Sequence, residues 1–293
     1  MNVKNATLQK DGYTTEKRFD FSLRSTVGVG GIAPMAVYPD TEEKLVKLLR
    51  NFENEGVSYH VLGNLSNVLP PDGVSKRVVV CTKLLKGISV EKGFYAEAGV
   101  VSGALISAMK TYELSGAEFL SGIPCTLGGA LYMNAGVAGF YLSDIVESVR
   151  VYRRGEVIEL SQKDCGYGYK TSVFMQNGDV ILGARLCLRS ASESEITANL
   201  KAFKERRQHL PRGKSMGCVF KNPQGYTAGK LIEGAGLKGL RMGDAYVSLE
   251  HANFIINDKN ATAKQIKGLI GLIKNAVYAQ YKIKLEEEIR YLD

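Results

Sequence analysis

Apolar residues recur with two different periods along this chain, and the two periods predict a mixture of helices and strands. Between Thr41 and Gly56, apolar positions 45, 48, 49 and 52 fall on one face of a helix, with Thr41 as its N-cap. The same spacing predicts helices at residues 101–111, 198–208, from about 227, and about 262–281. β-Branched or alternating segments predict strands at residues 35–39, 59–62, 77–82, 93–98, 145–150, 156–160, 180–189, 218–222, 251–257 and 285–292.

The order of these elements predicts an α+β fold with two domains, because strands and helices do not alternate as in a regular wound sheet. The first 22 residues are polar, and we expect them to form a lead-in. The polar segment SASESEIT at residues 190–197 precedes a predicted helix, and we place the domain boundary there. Residues 23–190 would form a large first domain and residues 191–293 a smaller second one.

Composition is that of an ordinary soluble globular protein, with 45% hydrophobic and 23% charged residues in 293. No segment has the unbroken apolar run of a membrane span, and the first residues lack the apolar core of a signal peptide, so we expect a cytoplasmic protein without membrane insertion. The net charge is +8, but the basic residues are scattered and match no nucleic-acid-binding motif. We therefore expect no nucleic-acid partner and an anionic small-molecule substrate, which a basic surface would attract.

Cysteine and histidine spacing argues against a metal site. The chain has an odd number of cysteines, no two of them separated by two residues, and its three histidines lie far apart in sequence. This pattern fits neither a disulfide framework nor a structural zinc site. We predict no metal.

One uncharged stretch, FLSGIPCTLGGALYMNAGVAGF at residues 119–140, carries the strongest chemical signal. Glycines in such a loop free backbone N–H groups and let the chain approach a ligand closely, which would suit a pyrophosphate. The alternative for a Gly-Gly pair alone is a tight turn between a strand and a buried helix.

The extended pattern SGIPxTxGGAxxMNAG resembles the flavin-binding loop of the UDP-N-acetylenolpyruvoylglucosamine reductase family. Seven other segments match this family in its order and extend the resemblance over nearly the whole chain: STVGVGG at 25–31, LGNLSNVL at 62–69, GYGYKTSVF at 166–174, GCVFKNP at 217–223, AGKLIEGAGLKG at 228–239, VSLEHANFIIN at 247–257 and LEEEIR at 285–290.

The resemblance implies an α+β protein with a two-lobed FAD-binding domain of the PCMH or vanillyl-alcohol-oxidase type, followed by a smaller α+β substrate-binding domain. The lobes would cover about residues 23–85 and 86–190. No segment is long enough for the tyrosine-bearing insertion of the longer family form, so the chain resembles the shorter one. The family also implies non-covalent FAD, NADPH as reductant, a UDP-sugar substrate and a monomer.

Two loops would hold the FAD pyrophosphate if the resemblance extends to the cofactor. In the turn after residue 62, Gly63, Ser66 and Asn67 match the family, whereas Asn64 and Leu65 replace its usual small residues. For Ser66 and Asn67 alone, a simple Asx or Ser turn is the alternative. The cofactor residues expected in the central loop are Gly122, Ile123, Pro124, Thr126, Gly128, Gly129, Asn134, Ala135 and Gly136.

The family's reaction reduces an enolpyruvyl ether to a lactyl ether, with hydride passing from NADPH through the flavin to the β-carbon. A protein group must hold the substrate carboxylate, and an acid must protonate the α-carbon. Lys170 stands where the family has an arginine, Cys218 where it has a serine, and Glu288 matches its catalytic glutamate. Without the resemblance, Lys170 would be read as a surface lysine, Cys218 as a small buried apolar residue and Glu288 as part of a solvated edge.

Substrate binding would fall to residues around the same motifs, namely Tyr169, Lys221, Asn222 and Lys230. The leading hypothesis is a UDP-N-acetylmuramate dehydrogenase of peptidoglycan precursor synthesis. The changes at Lys170 and Cys218 leave a second hypothesis open, a catalytically weak or inactive paralogue that binds FAD or sugar nucleotide. A third is an unrelated flavin oxidase, which the motifs after residue 217 argue against.

Overall fold

The computed structural model describes residues 5–292 and contains nine helices longer than three residues within that range: α1 Asn5–Lys10, α2 Phe21–Arg24, α3 Glu42–Asn54, α4 Ser102–Thr111, α5 Leu127–Met133, α6 Phe174–Asn177, α7 Glu193–Arg206, α8 Ala228–Gly234 and α9 Ala263–Tyr281. The strands of these residues are β1 Thr14–Asp20, β2 Ile32–Tyr38, β3 Tyr59–Leu62, β4 Val68–Leu69, β5 Val78–Cys81, β6 Ile88–Ser89, β7 Phe94–Glu97, β8 Leu114–Ser115, β9 Gly136–Val137, β10 Phe140–Tyr141, β11 Val146–Arg153, β12 Glu156–Ser161, β13 Val180–Leu186, β14 Arg189–Ser190, β15 Arg241–Met242, β16 Ala245–Val247, β17 Ile255–Asn257 and β18 Arg290–Tyr291.

These elements form two compact units, and each unit combines segments that are not consecutive in the chain. Among the described residues, the first unit consists of the chain up to Lys17 together with Met35–Asn64 and Arg77–Gln208. The second unit consists of Arg18–Pro34, Leu65–Lys76 and the chain from His209 onward.

The first unit contains two separate apolar cores. One lies under α3, whose buried face of Leu45, Val46, Leu48, Leu49 and Phe52 belongs to the same cluster as residues of β2 and β5. β2 and β5 belong to a four-stranded sheet of order β1-β2-β5-β3, in which β5 is parallel to both of its neighbours. The other core lies on the five-stranded sheet β12-β11-β13-β7-β6, whose neighbours are all antiparallel, and it includes α4 and α5.

The second unit has a core of its own around α9, which buries Ile266, Leu269, Ile270, Ile273 and Val277. The sequence predicts this face, because Ile266, Leu269, Ile270 and Ile273 recur with helical spacing. A three-stranded antiparallel sheet of order β15-β16-β17 and helix α8 contribute to the same core. β18 pairs in parallel with β4, so the end of the chain is fixed to the segment that follows residue 67.

The N-terminal residues are part of the fold, which corrects the prediction of a polar lead-in. β1 and α2 lie within the first 24 residues, and Phe19 and Phe21 are buried at 1% and 0% exposure. The prediction failed because β1 is an edge strand of mostly polar residues, TTEKRFD. Apolar and polar residues do not alternate along it, so the pattern typical of a half-buried strand is missing.

The segment at residues 190–197 is not a linker. Ser192 caps α7 by accepting a hydrogen bond from Glu195 N at 3.2 Å, so the polar residues form the first turns of the helix. Phe203 of α7 packs on the second core of the first unit, and this unit continues to Gln208. The structural division therefore falls after α7, unlike the boundary that the composition shift suggested.

Three predicted strands of the second unit are much shorter than expected. Residues 218–222 form no strand but make isolated bridges, from Cys218 to Phe254 and from Phe220 to Glu287. The other two are reduced to β17 and β18. Of the three segments, only residues 218–222 lack a continuous ladder, because β17 pairs with β16 and β18 pairs with β4.

Candidate active site

The central glycine-rich loop folds around the short helix α5 in the first unit. Thr126 caps this helix, and its hydroxyl oxygen lies 3.4 Å from the N of Gly129. The N–H of Gly128 is used within the protein, because it donates to Ala98 O at 2.8 Å. A Cβ on Gly128 would lie 3.0 Å from the Ala98 Cβ, so glycine here permits close packing rather than a free N–H.

The turn after β3 meets this loop within the first unit. A Cβ on Gly63 would lie 2.2 Å from Thr126 Oγ1, and the Asn64 side chain donates from Nδ2 to Pro124 O at 2.8 Å. Two segments that are separated by about 60 residues in sequence, and that were predicted to hold one pyrophosphate, are thus in direct contact.

The start of this turn offers an N–H donor beside the central loop. Within the described residues, the main-chain N–H of Asn64 donates to no protein acceptor, and Asn64 belongs to the first unit together with the central loop. An uncharged loop with a spare N–H donor beside it fits a pyrophosphate, so these residues of the first unit are compatible with FAD. Leu65, Ser66 and Asn67 belong to the second unit, and Leu65 has a left-handed backbone with φ 50°. The predicted contact of these three residues with the cofactor stays a prediction.

The end of the central loop is fixed by Asn134, which is 3% exposed and has a left-handed φ of 43°. Its side chain donates to Gly168 O at 2.9 Å and accepts from Ser143 N at 3.0 Å. Gly136 then pairs with Tyr141, whose ring would lie 2.3 Å from any Cβ added at Gly136. Both residues shape the loop, and their predicted contact with the cofactor stays a prediction.

Lys170 lies at a tight turn beside this loop. Gly168 and Thr171 bridge each other across the turn, and Lys170 between them has a φ of 55°, an uncommon value for a residue with a side chain. Its ammonium group donates to Gly136 O at 3.4 Å. Ser172 anchors the turn, because its buried hydroxyl donates to Tyr132 O of α5 at 2.6 Å.

Tyr169 precedes Lys170 and is 43% exposed, and its ring is perpendicular to that of Tyr141 at a centroid distance of 6.4 Å. The first unit therefore places Tyr169 and Lys170 beside the central loop, and their predicted contact with substrate stays a prediction. The anchoring role of Ser172 was missed, although its place in the YKTS motif could have revealed it.

Cys218 and Glu288 lie on neighbouring segments of the second unit. The main-chain N–H of Glu288 donates to Val219 O at 2.8 Å, and the N–H of Lys221 donates to Glu286 O at 2.8 Å. On its other side, Glu288 O accepts from Asn67 Nδ2 at 3.1 Å. The fold thus assembles two residues 70 positions apart whose roles were predicted only from the family resemblance.

The two glutamates before Glu288 are ion-paired with different lysines. Glu286 binds Lys221 Nζ at 2.5 Å, and Glu287 binds Lys274 Nζ at 2.6 Å and the hydroxyl of Tyr291. Burial by itself would raise the pKa of Glu287, but the hydrogen bonds from Lys274 and Tyr291 outweigh burial and lower it. Glu287 is therefore a structural anchor between α9 and β18, whereas its place among three consecutive glutamates predicts an ordinary surface residue from the sequence alone.

The remaining predicted substrate residues, Asn222 and Lys230, lie before α8 and inside it. Asn222 accepts from Ala228 N through Oδ1 at 3.0 Å and so organises the turn before this helix. Lys230, inside α8, is exposed to solvent. Their contact with substrate remains a prediction.

The thiol of Cys125, which lies in the central loop, is chemically quiet. Burial raises its pKa to about 11, so it is protonated and a poor nucleophile near neutral pH. Among the described residues no group of His, Cys, Asp and Glu side chains could hold a metal ion. Nor does any helix of this part of the chain have the length and apolarity to cross a membrane.

Comparison with known proteins identifies the family. Residues 208–292 match the UDP-N-acetylenolpyruvoylglucosamine reductase C-terminal domain, and residues 33–161 match an FAD binding domain. The chain is 41% identical to UDP-N-acetylenolpyruvoylglucosamine reductase of Clostridioides difficile (strain 630) over 271 residues, which cover 90% of this chain and 88% of that protein. The chain belongs to this family.

Other members of the reductase family agree over the full length. The enzyme of Clostridium novyi (strain NT) is 35% identical over 98% of this chain and 91% of its own. The crystal structure of the Thermus caldophilus reductase superposes with a TM-score of 0.83 at 33% identity, covering 96% of this chain and 99% of that one. The predicted fold class, an FAD-binding domain followed by a smaller α+β domain, is confirmed.

Proposed function

We propose that this chain is an NADPH-dependent flavoenzyme that reduces UDP-N-acetylenolpyruvoylglucosamine to UDP-N-acetylmuramate in peptidoglycan precursor synthesis. One observation carries the proposal beyond family membership. In each unit, family motifs far apart in sequence are in contact, Gly63 with Thr126 in the first and Val219 with Glu288 in the second. These contacts support the proposal because they bring together, within each unit, the segments that carry the predicted site residues.

FAD, when bound, carries hydride from NADPH to the substrate. The roles of the protein follow from the chemistry of the side chains. Lys170 would hold the substrate carboxylate through its positive charge, although a lysine lacks the bidentate fork of an arginine. Glu288 would stabilise the charge distribution of the reacting enolpyruvyl group, as the family resemblance implies.

Cys218 would supply the proton that the α-carbon takes up. A thiol carries a proton that it can donate, so cysteine at this position can take the place of the family's serine as the acid. Tyr169, Lys221, Asn222 and Lys230 would bind the sugar nucleotide. We further propose that FAD is held non-covalently, consistent with the protonated thiol of Cys125, and that the protein acts in the cytoplasm as a monomer.

Two measurements test this function. The purified protein should be yellow and should release intact FAD on treatment with acid or heat. Oxidation of NADPH, followed by its absorbance, should depend on the enolpyruvyl substrate. A yellow protein that oxidises NADPH at the same rate with and without this substrate would contradict the proposed reaction while leaving the flavin assignment intact. A colourless protein that cannot be reconstituted with FAD would contradict both.

A further inference from the structure

The Asn253 side chain binds the backbone two residues after Cys218 in the second unit. It is buried at 3% exposure, and both ends of its amide bind the same residue. Its Oδ1 accepts from Phe220 N at 2.9 Å, and its Nδ2 donates to Phe220 O at 2.8 Å. Its main-chain oxygen also accepts from Val219 N at 2.8 Å.

These three bonds replace a strand partner. Residues 218–222 make only single bridges, so no continuous ladder fixes their position. A side chain that satisfies both the N–H and the C=O of Phe220 does what an adjacent strand would do, and it leaves neither buried group unpaired.

Through neighbouring residues, these bonds connect Asn253 to both candidate catalytic residues of this unit, Cys218 and Glu288. Cys218 bridges Phe254, the residue next to Asn253. Val219, held by its N–H to Asn253, accepts the N–H of Glu288 through its carbonyl oxygen at 2.8 Å. Movement of Val219 and Phe220 would therefore displace Cys218 on one side and Glu288 on the other.

Such a displacement matters for proton transfer. The Cys218 sulfur is attached to the backbone through a single carbon, so its position depends on the main chain and on one side-chain rotation, χ1. An error of about 1 Å in the placement of a reacting group can cost on the order of 100-fold in rate.

We propose that Asn253 is a positioning residue that fixes the Cys218 thiol and Glu288 relative to each other, an inference that rests on the proposed function for its chemical meaning. Asn253 does not itself need to touch substrate. Its contribution is the fixed backbone at residues 219 and 220.

Asn257 provides a matched control. It is also an asparagine, is also 3% exposed and lies only four residues further along. Its Nδ2 donates to Val27 O at 2.9 Å and Gly28 O at 3.1 Å, and its Oδ1 accepts from Ala261 N at 2.9 Å. A change at Asn257 therefore disrupts a comparable set of buried hydrogen bonds but removes none of the bonds to Val219 or Phe220.

The experiment compares Asn253→Asp with Asn257→Asp in the FAD-loaded protein, and Asn253→Ser with Asn257→Ser if either aspartate variant does not fold. Flavin reduction by NADPH and flavin reoxidation by substrate are measured separately. We expect Asn253→Asp to slow the reoxidation by roughly 10- to 100-fold and to raise its solvent deuterium isotope effect, because proton delivery becomes limiting. Flavin reduction by NADPH should stay within about a factor of two of wild type.

A second readout does not depend on turnover. The rate of alkylation of Cys218 by iodoacetamide, followed by peptide mapping, should change several-fold in Asn253→Asp relative to Asn257→Asp. Equal alkylation rates and equal effects on the two half-reactions in the matched pair would overturn the inference. If wild type proves unable to reduce the substrate, the proposed function fails, and the alkylation rates still decide whether Asn253 positions the thiol.

Discussion

The two units hold their candidate catalytic groups by different means. In the first unit, Lys170 sits at a tight turn with φ 55°, and its charge is carried at the end of a long side chain that reaches Gly136 O. In the second unit, the main chain beside the Cys218 thiol is held in place by isolated β-bridges and by the hydrogen bonds of the buried Asn253 amide. The first arrangement fixes the turn at Lys170 and leaves the ammonium group some freedom. The second holds the main chain that carries the Cys218 thiol, one carbon away from the sulfur.

The difference matches the physical demands of the two tasks. Attraction between a lysine and a carboxylate falls off only as the inverse of distance, so a flexible stem can serve. Proton transfer needs a donor within hydrogen-bond reach of the acceptor atom. We therefore expect the second unit to tolerate less change at its reacting position than the first.

The largest expected effect is at Cys218. Cys218→Ala removes the proposed proton donor and should lower turnover by about 10²- to 10⁴-fold, the usual worth of general acid catalysis. Cys218→Ser should remain active, because a hydroxyl can also donate a proton from the same place. Steady-state NADPH oxidation with the enolpyruvyl substrate measures both. Full activity of the alanine variant would reduce Cys218 to a packing residue.

A smaller loss is expected at Lys170. Lys170→Met removes the proposed carboxylate contact, which should cost roughly 2–4 kcal/mol of transition-state stabilisation in flavin reoxidation by substrate. Flavin reduction by NADPH serves as the internal control and should change far less. Lys170→Arg should retain activity, since the positive charge is kept and a guanidinium can bind a carboxylate through two N–H groups. Native rates in both half-reactions for the methionine variant would make Lys170 a bystander.

The smallest effect on turnover is expected at Glu287, which lies beside Glu288 but is bound to Lys274 and Tyr291. Glu287→Gln should leave turnover near the wild-type rate and lower the free energy of unfolding by about 1 kcal/mol, because its salt bridge is partly exposed. Glu288→Gln should show the opposite pattern, with lost turnover and retained FAD and folding. Reversed results would show that the register of the last segment was assigned wrongly.

The Glu287 contribution should also depend on pH. Because its folded-state pKa is lowered, its stabilisation is fully present above the unfolded pKa of about 4.3 and is lost as pH falls through the folded value. Denaturant unfolding of wild type and Glu287→Gln at neutral pH and at increasingly acidic pH measures this. The difference between the two proteins should shrink on acidification, and a constant difference would contradict the assignment of the lowered pKa to these contacts.

Local sequence patterns by themselves determined where several helices of this protein lie and which face they bury. The apolar face of α9 and the Thr41 cap of α3 follow from side-chain spacing and capping chemistry within a few residues, and both are confirmed. The family motifs also determined the fold class, because their order survives over nearly the whole chain.

Only the tertiary structure decided how the glycines and asparagines are used. From the sequence, Gly128 was expected to free an N–H for a ligand, yet that N–H binds Ala98 O and the missing Cβ makes room for Ala98. Likewise Asn253 was one letter in a family motif until its amide was found on Phe220. The physical reason is range, since helix spacing and caps act within a few residues, whereas the partner of a buried amide or of a glycine lies about 30 residues away and is set by packing.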